Sequence, residues 1–124
     1  EGVAFAMRDC LEIIKGLGIE VNEVRASGGG GKSALWRQMQ ADIYNTDIYT
    51  INSSEGPALG VAILAGVGTG VYNSVPEACE ATIKVMTKQS PNDANVEKYN
   101  DYYKLYGKLY KSLKDDFKTL SKLS

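Results

Sequence analysis

The stretch "ASGGGGKS" at residues 26–33 constrains the fold of this chain more than any other part of its sequence. A short apolar segment at 21–26 precedes it, a helical pattern follows it directly, and a second short apolar segment, "DIYTI", occupies 47–51. Strand, glycine-rich turn, helix and strand in this order form a βαβ unit, whose two strands run parallel. The pattern therefore predicts an α/β fold built on a short parallel βαβ unit, in which Ser33 caps the helix and Asn45 ends it.

The remaining segments all read as helices packed around that unit. Apolar spacing predicts a helix from residue 3 to about 16 and a buried helix, entered through Pro57, within the apolar run 58–72. A further helix is predicted from 76 to about 87, and a long one from Val96 onward. The last helix carries a Tyr/Leu stripe opposite a lysine face, which indicates docking on its own domain rather than a coiled coil or a nucleic-acid surface.

Composition excludes several classes of chemistry. The chain of 124 residues has no histidine, which removes Ser-His-Asp and Cys-His catalysis and every histidine metal site. Its formal net charge of −1 gives no reason to expect a nucleic-acid partner or an anionic membrane. Cys10 and Cys79 are too few and too far apart to define a disulfide framework, so we predict two free, buried thiols.

The glycine-rich stretch has the properties of an anion cradle. Amides in the first turn of a helix have no partner inside the helix, and the aligned peptide dipoles add partial positive charge there. Glycines let a ligand approach the backbone closely, and the carboxyl end of a parallel strand is where open α/β sheets bind ligands. We therefore predict a nucleotide cradle, called the glycine loop below, that consists of Gly28, Gly29, Gly30, Gly31, Lys32 and Ser33.

Two other nucleotide motifs fit the loop less well. A Walker A loop requires a glycine where Ala26 stands. The dinucleotide variant Gly-x-Gly-x-x-Ala is matched from Gly29 to Ala34, with Glu55 further along as the acidic residue. Two roles stay open: Lys32 either screens phosphate charge or points to solvent, and the Ser33 hydroxyl caps its helix, contacts the base or ribose, or does both.

Three longer stretches resemble one family. "ASGGGGKSALWRQMQADIYN", "EGPALGVAILAGVGTGVYNSVPEA" and the closing tyrosine-rich helix are similar, in this order, to the carboxy-terminal end of the FGGY carbohydrate kinases. The opening "EGVAFAMRDCLEIIKGLG" resembles the helix that precedes the glycine motif in that family. The resemblance covers essentially the whole chain.

The resemblance implies a fold and an activity. Members of the family have two actin-like, ribonuclease H-like domains hinged around a cleft, in which Mg²⁺ and ATP phosphorylate a sugar or polyol. Residues 1–124 are then expected to be the carboxy-terminal part of the nucleotide-binding domain of a longer, cytoplasmic, two-domain protein. D-Xylulose is the expected substrate, with gluconate or another sugar or polyol as the alternative.

The resemblance also implies which part of the longer protein carries each functional residue. The amino-terminal domain would hold the sugar and the catalytic base, so we assign no catalytic or metal-ligating residue to this chain and expect it to be inactive alone. Gly29 would make the main backbone contact to ATP or ADP, whereas Ser33 stands where some members carry asparagine. Glu55, Gly56 and Gly60 would position the helix that follows them. We expect a homo-oligomer without nucleic-acid or membrane partners, and a non-catalytic actin-like nucleotide-binding module remains an alternative.

Overall fold

A computed structural model describes residues 1–53 and 56–123. This part of the chain contains five α-helices, three strands and one turn of 3₁₀ helix. In chain order the elements are α1 (Gly2–Gly16), β1 (Glu23–Ala26), the 3₁₀ turn (Gly30–Lys32), α2 (Ala34–Tyr44), β2 (Asp47–Ile51), α3 (Gly56–Gly68), α4 (Val75–Thr82), β3 (Val85–Gln89) and α5 (Asp93–Leu120). Strands β1 and β2 pair in parallel and flank α2 in the sequence, which confirms the predicted α/β class and its βαβ unit.

The ends of α2 follow from local chemistry. The hydroxyl oxygen of Ser33 accepts a hydrogen bond from the Trp36 amide at 3.2 Å, as an N-cap does. Asn45 ends the helix in the left-handed region, with φ 49° and ψ 50°, which asparagine tolerates better than most residues. Both predicted helix boundaries are confirmed.

The predicted helix at 76–87 is wrong in its second half. Helix α4 stops at Thr82, and Val85–Gln89 forms a strand that pairs antiparallel with β2. The Asn52 side chain fixes this change of direction, because its amide nitrogen donates to the Thr82 carbonyl at 3.0 Å and its oxygen accepts from the Lys84 amide at 2.9 Å. The sheet therefore has three strands in the order β1-β2-β3, with β2 in the centre.

The core lies where α1, α2 and the first half of α5 meet the central strand. Its buried members are Ala4, Phe5, Ala41, Ile43, Tyr44 and Ile48. The Phe5 ring contacts Tyr99, Tyr103 and Tyr106 of α5, with ring centroids 5.5 to 6.1 Å apart. The second half of α5 stays open, since Phe117 is 50% exposed. Of the predicted Tyr/Leu stripe, Tyr99 and Tyr106 pack against the core while Tyr102 is exposed, so docking is confirmed only in part, within the first half of α5.

A buried carboxylate joins α2 to the start of α5. Asp42 is only 2% exposed and accepts three hydrogen bonds. The donors are the Gln38 side-chain amide at 2.7 Å, the Asn92 backbone amide at 2.8 Å and the Asn95 side-chain amide at 2.8 Å. Because a buried charge needs this many donors to replace water, the network fixes where α5 begins.

Helix α3 carries the apolar run, and Pro57 stands in its first turn as predicted. The chain folds back after it so closely that a Cβ added to Gly66 would lie 3.0 Å from the ring of Tyr72. No helix in the described ranges combines the length and the apolar character needed to cross a membrane.

Both cysteines are free thiols, as predicted, but they are not both buried. Cys10 is exposed and Cys79 is half-buried. The prediction of burial was wrong for Cys10 because the face of α1 that packs on the core is the one that carries Ala4 and Phe5.

Candidate functional site

A cleft of about 490 Å³ opens at the carboxyl ends of β1 and β2. The glycine loop forms one wall of this cleft, and the first turn of α2 contributes Arg37. The ends of β1 and β2 form its floor, while Met86 and Thr87 of β3 close the far side. This is the place that the parallel βαβ unit predicts for a ligand, because the strand ends leave a crevice there.

The glycine loop turns in two steps. Gly28 has a φ of +74°, a conformation that suits glycine and strains other residues. Gly29, with φ −60° and ψ −40°, then leads into the 3₁₀ turn, which is closed by hydrogen bonds from the Lys32 amide to the Gly29 carbonyl and from the Ser33 amide to the Gly30 carbonyl, both at 3.2 Å. Within the part of the chain that the structure describes, the four amides of residues 28–31 donate to no acceptor. The loop thus offers a run of free N–H donors, which suits an anionic or acceptor-rich ligand.

Gly31 is held tightly at the base of the loop. It is buried, and a Cβ added to it would lie 3.1 Å from the carbonyl oxygen of Ala26 and 3.2 Å from its carbonyl carbon. Its own carbonyl accepts a hydrogen bond of 2.6 Å from Nη1 of Arg37. Glycine is therefore required at this position by close backbone approach rather than by an unusual φ.

The six predicted site residues do not all face one ligand space. Gly28, Gly31 and Lys32 line the cleft. Gly30 lies on the other side of the loop, against the Trp36 ring, in a smaller cavity of about 260 Å³ that faces α1. Gly29 forms the exposed tip, with no atom within 4 Å of an added Cβ, and the Ser33 hydroxyl caps α2.

Sequence reasoning missed several polar residues of the cleft, among them Arg37, Thr50 and Thr87. Arg37 lies in the first turn of α2, and its signal was a cation placed directly after the glycine loop. Thr50 and Thr87 face each other across β2 and β3, with hydroxyl oxygens 2.6 Å apart, and either can be the donor. The sequence could not pair them because the segment that contains Thr87 was predicted to be helical.

The stretch that begins at Gly56, the second of the family motifs, lies next to Ser27 at the entrance to the glycine loop. A Cβ added to Gly56, at the start of α3, would lie 3.4 Å from the hydroxyl oxygen of Ser27. Gly60 is exposed, with no atom within 4 Å of an added Cβ. Glu55, which the sequence assigned to the same motif, lies outside the described residues. The contact at Gly56 is consistent with the expectation that this motif sets the start of α3.

The described residues do not form a metal site. Among residues 1–53 and 56–123, no group of three or more His, Cys, Asp or Glu side chains could hold a metal ion. The cleft offers backbone amides, hydroxyl groups and the positive charge of Lys32 and Arg37.

Comparisons with known proteins agree with this fold. The C-terminal domain of the FGGY family of carbohydrate kinases matches residues 1–69. This chain belongs to the FGGY family of carbohydrate kinases, whose structures have an actin-like ATPase fold.

Three relatives show the extent of the similarity. A xylulose kinase of Staphylococcus epidermidis is 40% identical over 114 residues, which cover 92% of this chain and 23% of that protein. The crystal structure of a ligand-bound xylulose kinase from Lactobacillus acidophilus matches with a TM-score of 0.86 at 21% identity, covering 95% of this chain and 24% of the other. A gluconate kinase from the same organism matches with a TM-score of 0.80 at 24% identity, covering 90% and 22% of the two chains. This chain thus spans about a quarter of the length of these relatives.

Proposed function

We propose that residues 1–124 form the carboxy-terminal part of the nucleotide-binding domain of a cytoplasmic, ATP-dependent carbohydrate kinase, and supply part of its adenine nucleotide site. The proposed reaction converts D-xylulose to D-xylulose 5-phosphate. The observation that carries the proposal is the row of free amides at residues 28–31 beside a cleft at the ends of two parallel strands. The substrate is proposed from the xylulose kinase of Staphylococcus epidermidis, which at 40% identity is the most similar in sequence of the three relatives described above.

The residues present fit a nucleotide. At Gly28 and Gly29 no atom lies within 4 Å of an added Cβ, so a ligand can approach the peptide groups directly. The free amides and the cation Lys32 would receive phosphate or ribose oxygens, Arg37 adds positive charge beside them, and the threonine pair on β2 and β3 adds hydroxyl groups on the opposite wall. ATP would supply the phosphoryl group and Mg²⁺ would neutralise its charge, while the described residues themselves form no group of three or more His, Cys, Asp or Glu side chains that could hold the metal.

The contribution of this chain to catalysis would be binding and orientation. Phosphoryl transfer depends mainly on placing the two reactants in line and on stabilising charge. A glycine loop fixed at its base would hold the nucleotide in one position, while the sugar and the catalytic base would come from the amino-terminal domain. Closure of the two domains would exclude water and limit hydrolysis of ATP.

The proposed site is tested by Gly29→Val in the longer protein that includes the amino-terminal domain. No protein atom lies within 4 Å of an added Cβ at Gly29, so we expect the branched side chain to be accommodated by the fold and to obstruct a ligand. We expect calorimetry to show adenine nucleotide affinity at least roughly tenfold weaker, equivalent to about 1.4 kcal/mol. Gly107→Val, at another glycine with open space on α5, is the matched control. Equal affinity in the two variants would show that the loop does not contact the nucleotide.

A second substrate is supported by the similar fold of a gluconate kinase. Sugar-dependent ADP release, measured with D-xylulose, gluconate, other sugars and polyols in parallel, decides between them. If only gluconate is turned over, the proposed substrate D-xylulose is wrong and gluconate takes its place. No turnover with any of them, while ATP still binds, would identify a non-catalytic actin-like module instead.

A further inference from the structure

Arg37 is the one side chain of α2 that both lines the cleft and contacts the glycine loop. It stands on the first turn of the helix, and its Nη1 donates to the Gly31 carbonyl at 2.6 Å. This is a charge-assisted hydrogen bond, a class that is shorter and stronger than bonds between neutral groups. Nε of Arg37 is buried and has no partner in the described part of the chain, so this guanidinium is held in place mainly by its bond to the loop.

Gly31 is held from two sides, and the hydrogen bond from Arg37 to its carbonyl is one of them. On the other side, the carbonyl of Ala26 at the end of β1 lies so close that a Cβ could not be added without a shift. The Gly31 carbonyl also shares its peptide group with the Lys32 amide, which closes the 3₁₀ turn by donating to Gly29. A cation on the oxygen of this peptide strengthens the bond made by its N–H, because neighbouring hydrogen bonds polarise one another.

We propose that Arg37 is a positioning residue that holds the glycine loop in the shape that presents Gly28, Gly31 and the exposed tip at Gly29 to the nucleotide. The inference rests on the proposed function for its ligand, while its geometry stands on the structure alone. Arginine suits the task better than lysine, because its planar guanidinium presents several donors in a fixed arrangement and keeps its charge when partly buried.

The test uses the longer protein that includes the amino-terminal domain, in three forms. Arg37→Met keeps most of the length of the side chain and removes every donor, whereas Arg37→Lys keeps the charge and one donor group. Arg25→Met is the matched control, because it removes one positive charge from an exposed position of β1, where Arg25 pairs with Glu23 at 2.8 Å. The measurements are amide hydrogen exchange of Lys32 and Ser33 without nucleotide, because these two amides close the 3₁₀ turn of the loop, and steady-state kinetics for both substrates.

We expect Arg37→Met to speed exchange in the loop and to raise the KM for ATP roughly tenfold, with the KM for the sugar unchanged. Arg37→Lys should recover part of both effects, and Arg25→Met should show neither. The inference is overturned if loop exchange in Arg37→Met equals that in Arg25→Met, or if both KM values rise together as general loosening of the fold would cause. If the unmodified protein binds no adenine nucleotide, the proposed function fails, and the exchange measurement still decides whether Arg37 holds the loop.

Discussion

Substituting Gly31 by alanine tests the close backbone approach at the base of the glycine loop. The added methyl group would lie 3.1 Å from the Ala26 carbonyl oxygen and 3.2 Å from its carbon, while ordinary contacts begin at 3.4 Å. The carbonyl cannot easily withdraw, because Ala26 is held in β1 by its pairing with Thr50 of β2. Forcing such an overpacked contact in a folded protein costs about 1–3 kcal/mol.

Gly29→Ala provides the matched control for this substitution. Gly29 is also in the loop, but an added Cβ meets no atom within 4 Å and its φ of −60° is comfortable for alanine. Both substitutions restrict the unfolded chain equally, which stabilises the folded state by about 0.4–1 kcal/mol in each case. This term cancels in the difference between the two variants, so the difference isolates the contact with Ala26.

The assay is equilibrium unfolding in urea. Gly31→Ala should unfold with a free energy about 1–3 kcal/mol below that of Gly29→Ala, at an unchanged dependence on denaturant. Coincident unfolding curves for the two variants would refute the reasoning, since they would mean that the loop base has room for a methyl group.

Three further predictions concern the rest of the fold. Asp42→Ala should lower the free energy of unfolding by about 2–4 kcal/mol, because three donors lose their buried acceptor. Amide hydrogen exchange at the start of α5 should also become faster. Exchange protection equal to that of the unmodified chain would contradict the role of this hydrogen-bond network. Burial, followed by the hydrogen bond to Asp9, raises the pKa of Tyr103 from 10.0 to about 12. Because the pKa is raised in the folded state, this tyrosine contributes stability that is complete below pH 10.0 and is lost as the pH approaches 12. Tyr103→Phe should therefore flatten the dependence of the free energy of unfolding on pH between these two values. Tyrosinate absorbance that shows no late-titrating tyrosine would contradict this prediction. Finally, β1 and β3 both leave an open edge, so light scattering at high concentration should detect self-association, and a strictly monomeric profile would count against the expected homo-oligomer.

The sequence predicted best where neighbouring residues decide the structure. Ser33 caps α2 and Asn45 ends it through contacts within a few residues, and the glycine loop appears between strand and helix as expected. The location of the cleft also follows from the order of elements, because parallel strands bring their carboxyl ends to one edge of the sheet. Family motifs in the expected order also predicted the fold of the FGGY kinases, which the comparison of structures supports.

Pairing between distant segments could not be predicted in this way. The segment 83–87 has apolar spacing that a helix would also satisfy, and it becomes part of a strand only because β2 offers it a hydrogen-bonding edge and Asn52 turns the chain toward that edge. The threonine pair across β2 and β3 depends on the same event. Likewise, Tyr99 and Tyr106 of the stripe on α5 are half-buried against the core, whereas the stripe is exposed from Leu109 onward, although the two halves look alike in the sequence.

The sequence by itself thus determined the βαβ unit, the caps of α2 and the presence of a glycine loop, since each depends on the conformational preferences of adjacent residues. Only the tertiary structure decided which glycines face the cleft, that Gly31 touches the end of β1, and that Arg37 holds the loop. The physical reason is that these contacts depend on how closely a strand end and a helix approach each other, and that distance is set by packing over the whole sheet.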